Sequence, residues 1–231
     1  MKRIKFISIV LCAAMIMVGC NNMAKGTAIG AGGGALLGAI IGHVAGNTAV
    51  GAAIGGAVGA GAGAIIGKKM DKAKAEAEAV KNAQVESVTD ANGLQAVKVT
   101  FDSGILFATG KSELSATAKQ SLSQFATVLK NNADCDIAIQ GYTDNQGWKN
   151  STAEQSYQKN VALSQDRAQA VSAYLLGLAV PASQIKSVQG FGEENPVADN
   201  STAAGQRENR RVEVYMYASQ KMIQEAQAQS N

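Results

Sequence analysis

Gly141-Tyr142-Thr143-Asp144-Asn145 opens, and Asn160-Val161-Ala162-Leu163-Ser164-Gln165-Asp166-Arg167-Ala168 closes, the stretch that decides how this chain is read. The alternating run Ile137-Ala138-Ile139-Gln140 leads into it and predicts a strand. A helical pattern follows. Asp144 is therefore expected at a strand end and Arg167 inside the next helix. A carboxylate and a guanidinium brought together there suit a ligand that carries both charges. By charge alone an ordinary structural ion pair is the commoner explanation.

Outward from this stretch, residues 94–218 read as strand, helix, strand, helix, strand, strand. Gln95 to Phe101 puts Val97, Val99 and Phe101 on one face. Ser115 to Leu129 reads as a helix capped by Ser115, with Leu122, Phe125, Ala126 and Leu129 inward. Cys135 to Gln140 is the second strand. A long helix is expected from about Ala153 to Leu178, with Val161, Leu163, Val171, Tyr174 and Leu175 offering core contacts and Gly177 and Pro181 closing it. Ile185 to Phe191 and Arg211 to Tyr217 complete the strands, the last with Val212, Val214 and Met216 on one face. The expected class is α+β, with helices on one face of a small mixed sheet.

Several chemistries are disfavoured. His43 is the only histidine and lies far from this region, so no His-based triad or His metal cluster forms there. Gly110-Lys111-Ser112 looks like the end of a P-loop, but five residues separate Gly104 from Gly110 where that motif has four. No signature marks an enzyme, and neither a metal nor a cofactor is expected.

The N-terminus reads as a targeting segment. Lys2, Arg3 and Lys5 precede an apolar run, Phe6 to Val18, too short to cross a bilayer. Met17-Val18-Gly19-Cys20 resembles a bacterial lipoprotein box, with Met17 where Leu is usual. That resemblance implies a signal peptide over 1–19 and a lipidated N-terminus over 20–25, with Cys20 acylated. Asn21 is compatible with outer-membrane delivery. Residues 1–19 hold three basic residues and no acid, so their removal takes the formal net charge from +3 to zero. Nothing in the mature chain argues for nucleic acid. Cys12 leaves with the signal, and Cys135 remains alone, so no intrachain disulfide is available.

Residues 26–67 carry phased glycines: Gly26, Gly30, Gly34, Gly38, Gly42 and Gly46, then Gly51, Gly55, Gly59, Gly63 and Gly67. A four-residue period makes a stripe along a helix that lets two backbones approach closely. With turn residues at Gly46-Asn47-Thr48, this predicts a hairpin of two helices of about 20 residues, roughly 30 Å each. It resembles the glycine-zipper segments of bacterial envelope proteins. A flexible Gly/Ala linker is the competing reading, and spanning the membrane, lying on it and homo-oligomerising all stay open. Residues 68–93 read as a spacer: an exposed helix to Val88 with little core of its own, ended by the turn Asp90-Ala91-Asn92-Gly93. Residues 219–231 read as a polar tail.

Four blocks in order carry a further resemblance: Gly141-Tyr142-Thr143-Asp144-Asn145; Asn160, Leu163-Ser164 and Arg167-Ala168; Gly190-Phe191-Gly192-Glu193 with Pro196; and Asn209-Arg210-Arg211-Val212-Glu213. Together, over roughly 95–217, they resemble the OmpA-like peptidoglycan-binding domain, and the whole chain resembles outer-membrane lipoproteins of that family. The resemblance implies non-covalent peptidoglycan binding that tethers the outer membrane to the cell wall, from a lipid-anchored protein whose C-terminal domain is periplasmic. It implies that Asp144 and Arg167 hold the diaminopimelate of a stem peptide, with Asn160, Thr143 and Arg210 in the same site. An oligomeric membrane assembly or pore formed by the hairpin is the rival function. Tyr142 stands where His is common. The segment between Gly147 and Asn160 is longer than is usual and carries Trp148, Lys149 and Tyr157.

Overall fold

In chain order the elements are α1 (Ala60–Glu78), β1 (Ala83–Thr89), β2 (Gln95–Asp102), the one-turn helix α2 (Ser103–Leu106), α3 (Ala116–Asn131), β3 (Cys135–Gly141), α4 (Ala153–Gly177), a 3₁₀ turn at Ala182–Gln184, β4 (Ile185–Gly190), α5 (Ala203–Asn209), β5 (Arg211–Ala218) and α6 (Gln220–Ser230). These come from a computed structural model that describes residues 59–89 and 93–230. The signal segment, Cys20, the hairpin up to Val58 and the turn residues Asp90 to Asn92 lie outside the described residues.

The five strands form one sheet in the order β1-β2-β5-β3-β4. All neighbours are antiparallel except β3 and β4, which are parallel and joined through α4. Parallel neighbours need such a crossover, and a helix supplies it. Register aligns the apolar faces. Val97, Val99 and Phe101 lie opposite Met216, Val214 and Val212, and Ile137 and Ile139 lie opposite Met216 and Val214 on the other side of β5. All are buried in one cluster with Leu122, Phe125 and Leu129 of α3 and Val171 and Leu175 of α4. Phe101 and Phe125 meet edge to face at 5.6 Å. The fold is thus α+β, with the main helices on one face of a small mixed sheet. Tyr215 and Tyr217 point to the opposite face, over Ala96 and Ala138.

Ser115 caps α3 by accepting from the Ala118 amide at 2.9 Å, and Thr152 caps α4 in a capping box with Gln155. The lengthened segment before Asn160 is in part helix, because α4 already starts at Ala153.

The segment expected to be an exposed spacer is built into the core instead. α1 runs through the Gly67–Lys68 boundary, and Ala62, Ile66, Met70, Ala73 and Ala77 are fully buried. Three of these five are alanines, which carry little hydrophobic signal. The glycine phase and the Lys/Glu pairs Lys72–Glu76 and Lys74–Glu78 mark other faces of the same helix. After Asn82, whose φ of +59° breaks the helix, residues 83–89 form the edge strand β1 rather than more helix. Pairing with β2 along its whole length overrides a weak local preference. Residues 220–230, read only as a polar tail, form a helix. Met222, Ile223 and Ala226 of α6 are buried, and the end of α6 reaches α1, where a Cβ on Gly61 would lie 2.9 Å from Ser230 Cβ. Among the described residues, no helix is long and apolar enough to cross a membrane.

Cys135 is buried in β3, and burial pushes its thiol up to about 12. The thiolate is the form disfavoured, so reaction of folded Cys135 with a thiol reagent should not accelerate as pH rises through about 8.5, where a free thiol ionises. Denaturant should restore that acceleration. Met70→Ala should lower stability by about 2–5 kcal/mol in chemical denaturation, as a core truncation does. Lys72→Ala, on the exposed side of the same helix, should leave the midpoint nearly unchanged.

Candidate functional site

Three chain segments meet at one end of the sheet. β2 ends at Asp102, opposite Arg211 at the start of β5, and β3 ends at Gly141, opposite Val212. The loops leaving β2 and β3 therefore emerge beside the Asn209-Arg210-Arg211 block. α4 crosses this end at a separation only glycine permits. A Cβ on Gly141 would lie 2.1 Å from the Ser164 carbonyl oxygen, and one on Gly190 would lie 2.2 Å from the Gln165 amide nitrogen. Gly192 sits at φ +57°, and its amide donates to Ser164 Oγ at 2.8 Å. Gln165 Oε1 accepts from the Gly190 amide at 2.7 Å. So the glycines of the third block and Ser164-Gln165 of the second are two halves of one contact.

With α4 held there, its N-terminal half presents an inward face of Ser156, Asn160, Ser164, Arg167 and Ala168, spaced by threes and fours. Val161 and Leu163, expected to offer core contacts, are only partly buried. Asn160, Leu163 and Arg167 line a cavity of about 480 Å³ together with Thr143, Asp144 and Arg210. Ser103, Phe107 and Trp148 also line it. The five residues expected to share a ligand site thus all face one cavity.

Their pairing differs from the simplest expectation. The Asp144 carboxylate pairs with Arg210 Nη1, and its other oxygen accepts from the Gln146 amide at 3.2 Å. Arg167 has no carboxylate partner among the described residues. Its Nε donates to the Lys111 carbonyl at 3.0 Å and its guanidinium lies 5.1 Å from the Phe107 ring centre. The residue is only 4% exposed. Burial, and then the neighbouring Arg210, push its pKa down to about 10, against the pull of Asp144. The Gly110-Lys111 turn therefore serves as a prop for Arg167, and no helix starts until Ala116.

Asn160 is a bracket. Its amide nitrogen faces the Asp144 and Gln146 carbonyls at 3.5 and 3.2 Å and Glu193 Oε2 at 3.3 Å. Its oxygen accepts from Trp148 Nε1 at 2.7 Å. Two hydroxyls in the wall, Thr143 Oγ1 and Ser103 Oγ, are buried with no partner among the described residues. The fourth block divides its work. Asn209 binds the 197–200 segment, accepting from the Val197 and Ala198 amides at 2.8 and 3.0 Å and donating to Ala198 O and Asn200 Oδ1. Arg210 turns into the cavity. Arg211 turns to the other side of β5, where it bonds Glu213 at 2.7 Å and Asn195 O at 3.1 Å. It also lies 3.9 Å from the Tyr142 ring centre. Tyr142 stacks on Phe191 and donates to Gln140 at 2.7 Å, outside the cavity, which is why a phenol is accommodated where His is common.

These blocks match a family model, the OmpA family, over residues 106–210. Residues 1–71 match the YMGG-like Gly-zipper model. The chain is 38% identical over 116 residues to the probable lipoprotein YiaD of Escherichia coli, covering 50% of this chain and 46% of YiaD. It is 35% identical over 119 residues to the outer-membrane lipoprotein YfiB of Pseudomonas aeruginosa, covering 51% of this chain and 65% of YfiB. It is 40% identical over 93 residues to the peptidoglycan-binding protein ArfA of Mycobacterium tuberculosis, covering 40% of this chain and 26% of ArfA. Each match thus spans less than two thirds of the relative. Among solved structures, a putative MotB-like protein of Desulfovibrio vulgaris shares the fold at TM-score 0.56 and 23% identity, over 68% of this chain and 94% of that one. The cell wall anchor of the T6SS of Pseudomonas aeruginosa matches at TM-score 0.52 and 25% identity, over 65% and 97%.

Ser103 and Phe107 were not marked by any motif. The available signal was positional: they follow β2 at the same sheet end that β3 leaves. Gly190→Ala should destabilise the fold by about 3 kcal/mol or more, because backbone cannot retreat from the new Cβ. Gly147→Ala, whose Cβ would meet only Ser156 Oγ at 3.6 Å, should be tolerated. Thermal unfolding of the two variants checks the contrast.

Proposed function

We propose that this protein binds peptidoglycan non-covalently, through the diaminopimelate of a stem peptide, and so tethers the outer membrane to the cell wall. The observation that carries this reading is Arg167: a guanidinium 4% exposed, with no carboxylate opposite it among the described residues. A buried charge without a counter-ion is unfavourable by several kcal/mol unless a ligand supplies one. The cavity wall holds two guanidiniums, Arg167 and Arg210, and one carboxylate, Asp144. It therefore suits a ligand bringing more negative than positive charge. The free end of diaminopimelate carries an ammonium and a carboxylate on one carbon, and in a stem peptide its second amino group is acylated, so a stem that ends at this residue brings two carboxylates against one ammonium. Its carboxylate lies against the Arg167 fork, which bonds bidentately. Its ammonium shares the Asp144 carboxylate with Arg210. Thr143 and Ser103 offer the two unpartnered hydroxyls to the same head.

The relation of the domain to ArfA and to the cell wall anchor supports the wall as partner. The relation to YiaD and YfiB supports the outer membrane as location. In this reading acylated Cys20 and the glycine-rich residues that precede α1 hold the membrane, and the domain faces the periplasm. α1 makes the connection stiff, since it begins in the glycine repeat and ends in the domain core. No bond of the wall is broken.

Co-sedimentation with purified sacculi tests the proposal. Asp144→Ala and Arg167→Ala should each weaken binding about tenfold or more, the range for a lost charge-assisted hydrogen bond. Arg167→Lys should also weaken it, since the fork is lost while the charge stays. Tyr142→Phe, outside the cavity, should bind as wild type. Free meso-diaminopimelate should compete, and cadaverine, the corresponding diamine without its carboxylates, should compete poorly. Asp144→Ala and Arg167→Ala proteins that sediment like wild type would remove the proposed site.

A further inference from the structure

We infer that Trp148 forms an apolar wall of the site that packs against the methylene chain of the ligand, and so selects a long unbranched spacer behind the charged head. This rests on the proposed charge clamp and adds a residue to it. Trp148 is half-buried, lines the cavity and is the only tryptophan of the chain. Its ring is fixed at several points. The indole N–H donates to Asn160 Oδ1 at 2.7 Å, and the Trp148 backbone amide donates to Ser156 Oγ at 3.0 Å. Lys159 Nζ lies 5.9 Å from the ring centre. The far edge of the ring reaches the Gly110 turn, where a Cβ would lie 3.8 Å from Cη2.

This arrangement ties the ring to the charge centre through one residue. Asn160 holds the indole with its oxygen and faces the Asp144 and Gln146 carbonyls with its nitrogen. With those bonds made, Asn160 has little capacity left for a ligand, and its part in recognition is to position Trp148 beside Asp144. An indole whose N–H is already satisfied offers carbon surface to its surroundings. Phe107 and Leu163 extend that surface in the same cavity. A ligand whose ammonium and carboxylate meet Asp144 and Arg167 must lay its next carbons along this wall. Diaminopimelate presents methylenes there. A short amino acid presents none.

The test uses the full chain in detergent micelles, with norleucine and alanine as probes beside meso-diaminopimelate. Norleucine and alanine share one charged head and differ only in methylenes. Wild type should bind norleucine about tenfold tighter than alanine, the effect of partly covering those methylenes. Norleucine should shift the tryptophan emission and alanine should not. W148A should bring the two affinities together. W148F, which keeps an aromatic surface and guards against a folding defect in W148A, should keep most of the difference. An unchanged norleucine-to-alanine ratio in W148A would overturn the inference, while loss of meso-diaminopimelate binding in D144A would show the charge clamp still standing. If meso-diaminopimelate does not bind wild type, or binds D144A equally well, the clamp fails and the inference fails with it.

Discussion

Every feature of the site depends on how closely α4 crosses the ends of β3 and β4. Gly141 and Gly190 leave room for the α4 backbone itself, at separations where a methyl group would overlap Ser164 O or Gln165 N. Ser164 and Gln165 then lock the contact by bonding the amides of Gly192 and Gly190. Because α4 cannot slide, Asn160 and Arg167, two turns apart on one face, are set at fixed heights above the Asp144 turn. The polar inward face of this half of α4 would be a defect in a purely structural helix. Here Asn160 and Arg167 of that face line a cavity.

The charges in that cavity are arranged unequally. Asp144 has a partner in Arg210, and Arg167 has only a carbonyl and an aromatic ring. One guanidinium is thus balanced and the other is poised. On the opposite side of β5 the chain shows what full satisfaction looks like. Arg211 and Glu213 are as buried as Arg167, yet they bond each other, Tyr215 OH donates to Glu213, and Arg211 reaches two backbone carbonyls. Fully connected buried networks of this kind rigidify a fold. Arg167 and Arg211 are equally buried, and of the two only Arg211 has a carboxylate partner among the described residues.

Much of the domain was legible in the sequence because period and punctuation agreed there. Val97-Val99-Phe101 and Val212-Val214-Met216 alternate, Ser115 caps α3, and the strands and helices they predict are present within a residue or two. The co-location of Thr143, Asp144, Asn160, Arg167 and Arg210 was legible only through the four-block resemblance. The partner of Asp144 was not legible at all, because β-sheet order decides it: β5 lies between β2 and β3, which sets Arg210 beside Asp144. α1 and β1 escaped for a different reason. Alanines bury without announcing themselves, and an edge strand such as Ala83–Thr89 draws its stability from β2 more than from its own residues. That Asn160 also bonds Trp148 and the Asp144 turn was not legible, because the loop between them is placed only by the fold.

The central claim is that Arg167 is kept buried and unpaired for a ligand carboxylate. A crystal structure of the protein with meso-diaminopimelate tests it most directly. The account predicts one carboxylate bonded by both terminal nitrogens of Arg167 and the adjacent ammonium on Asp144. Arg167 still bonded only to the Lys111 carbonyl, with the ligand bound elsewhere, would contradict it.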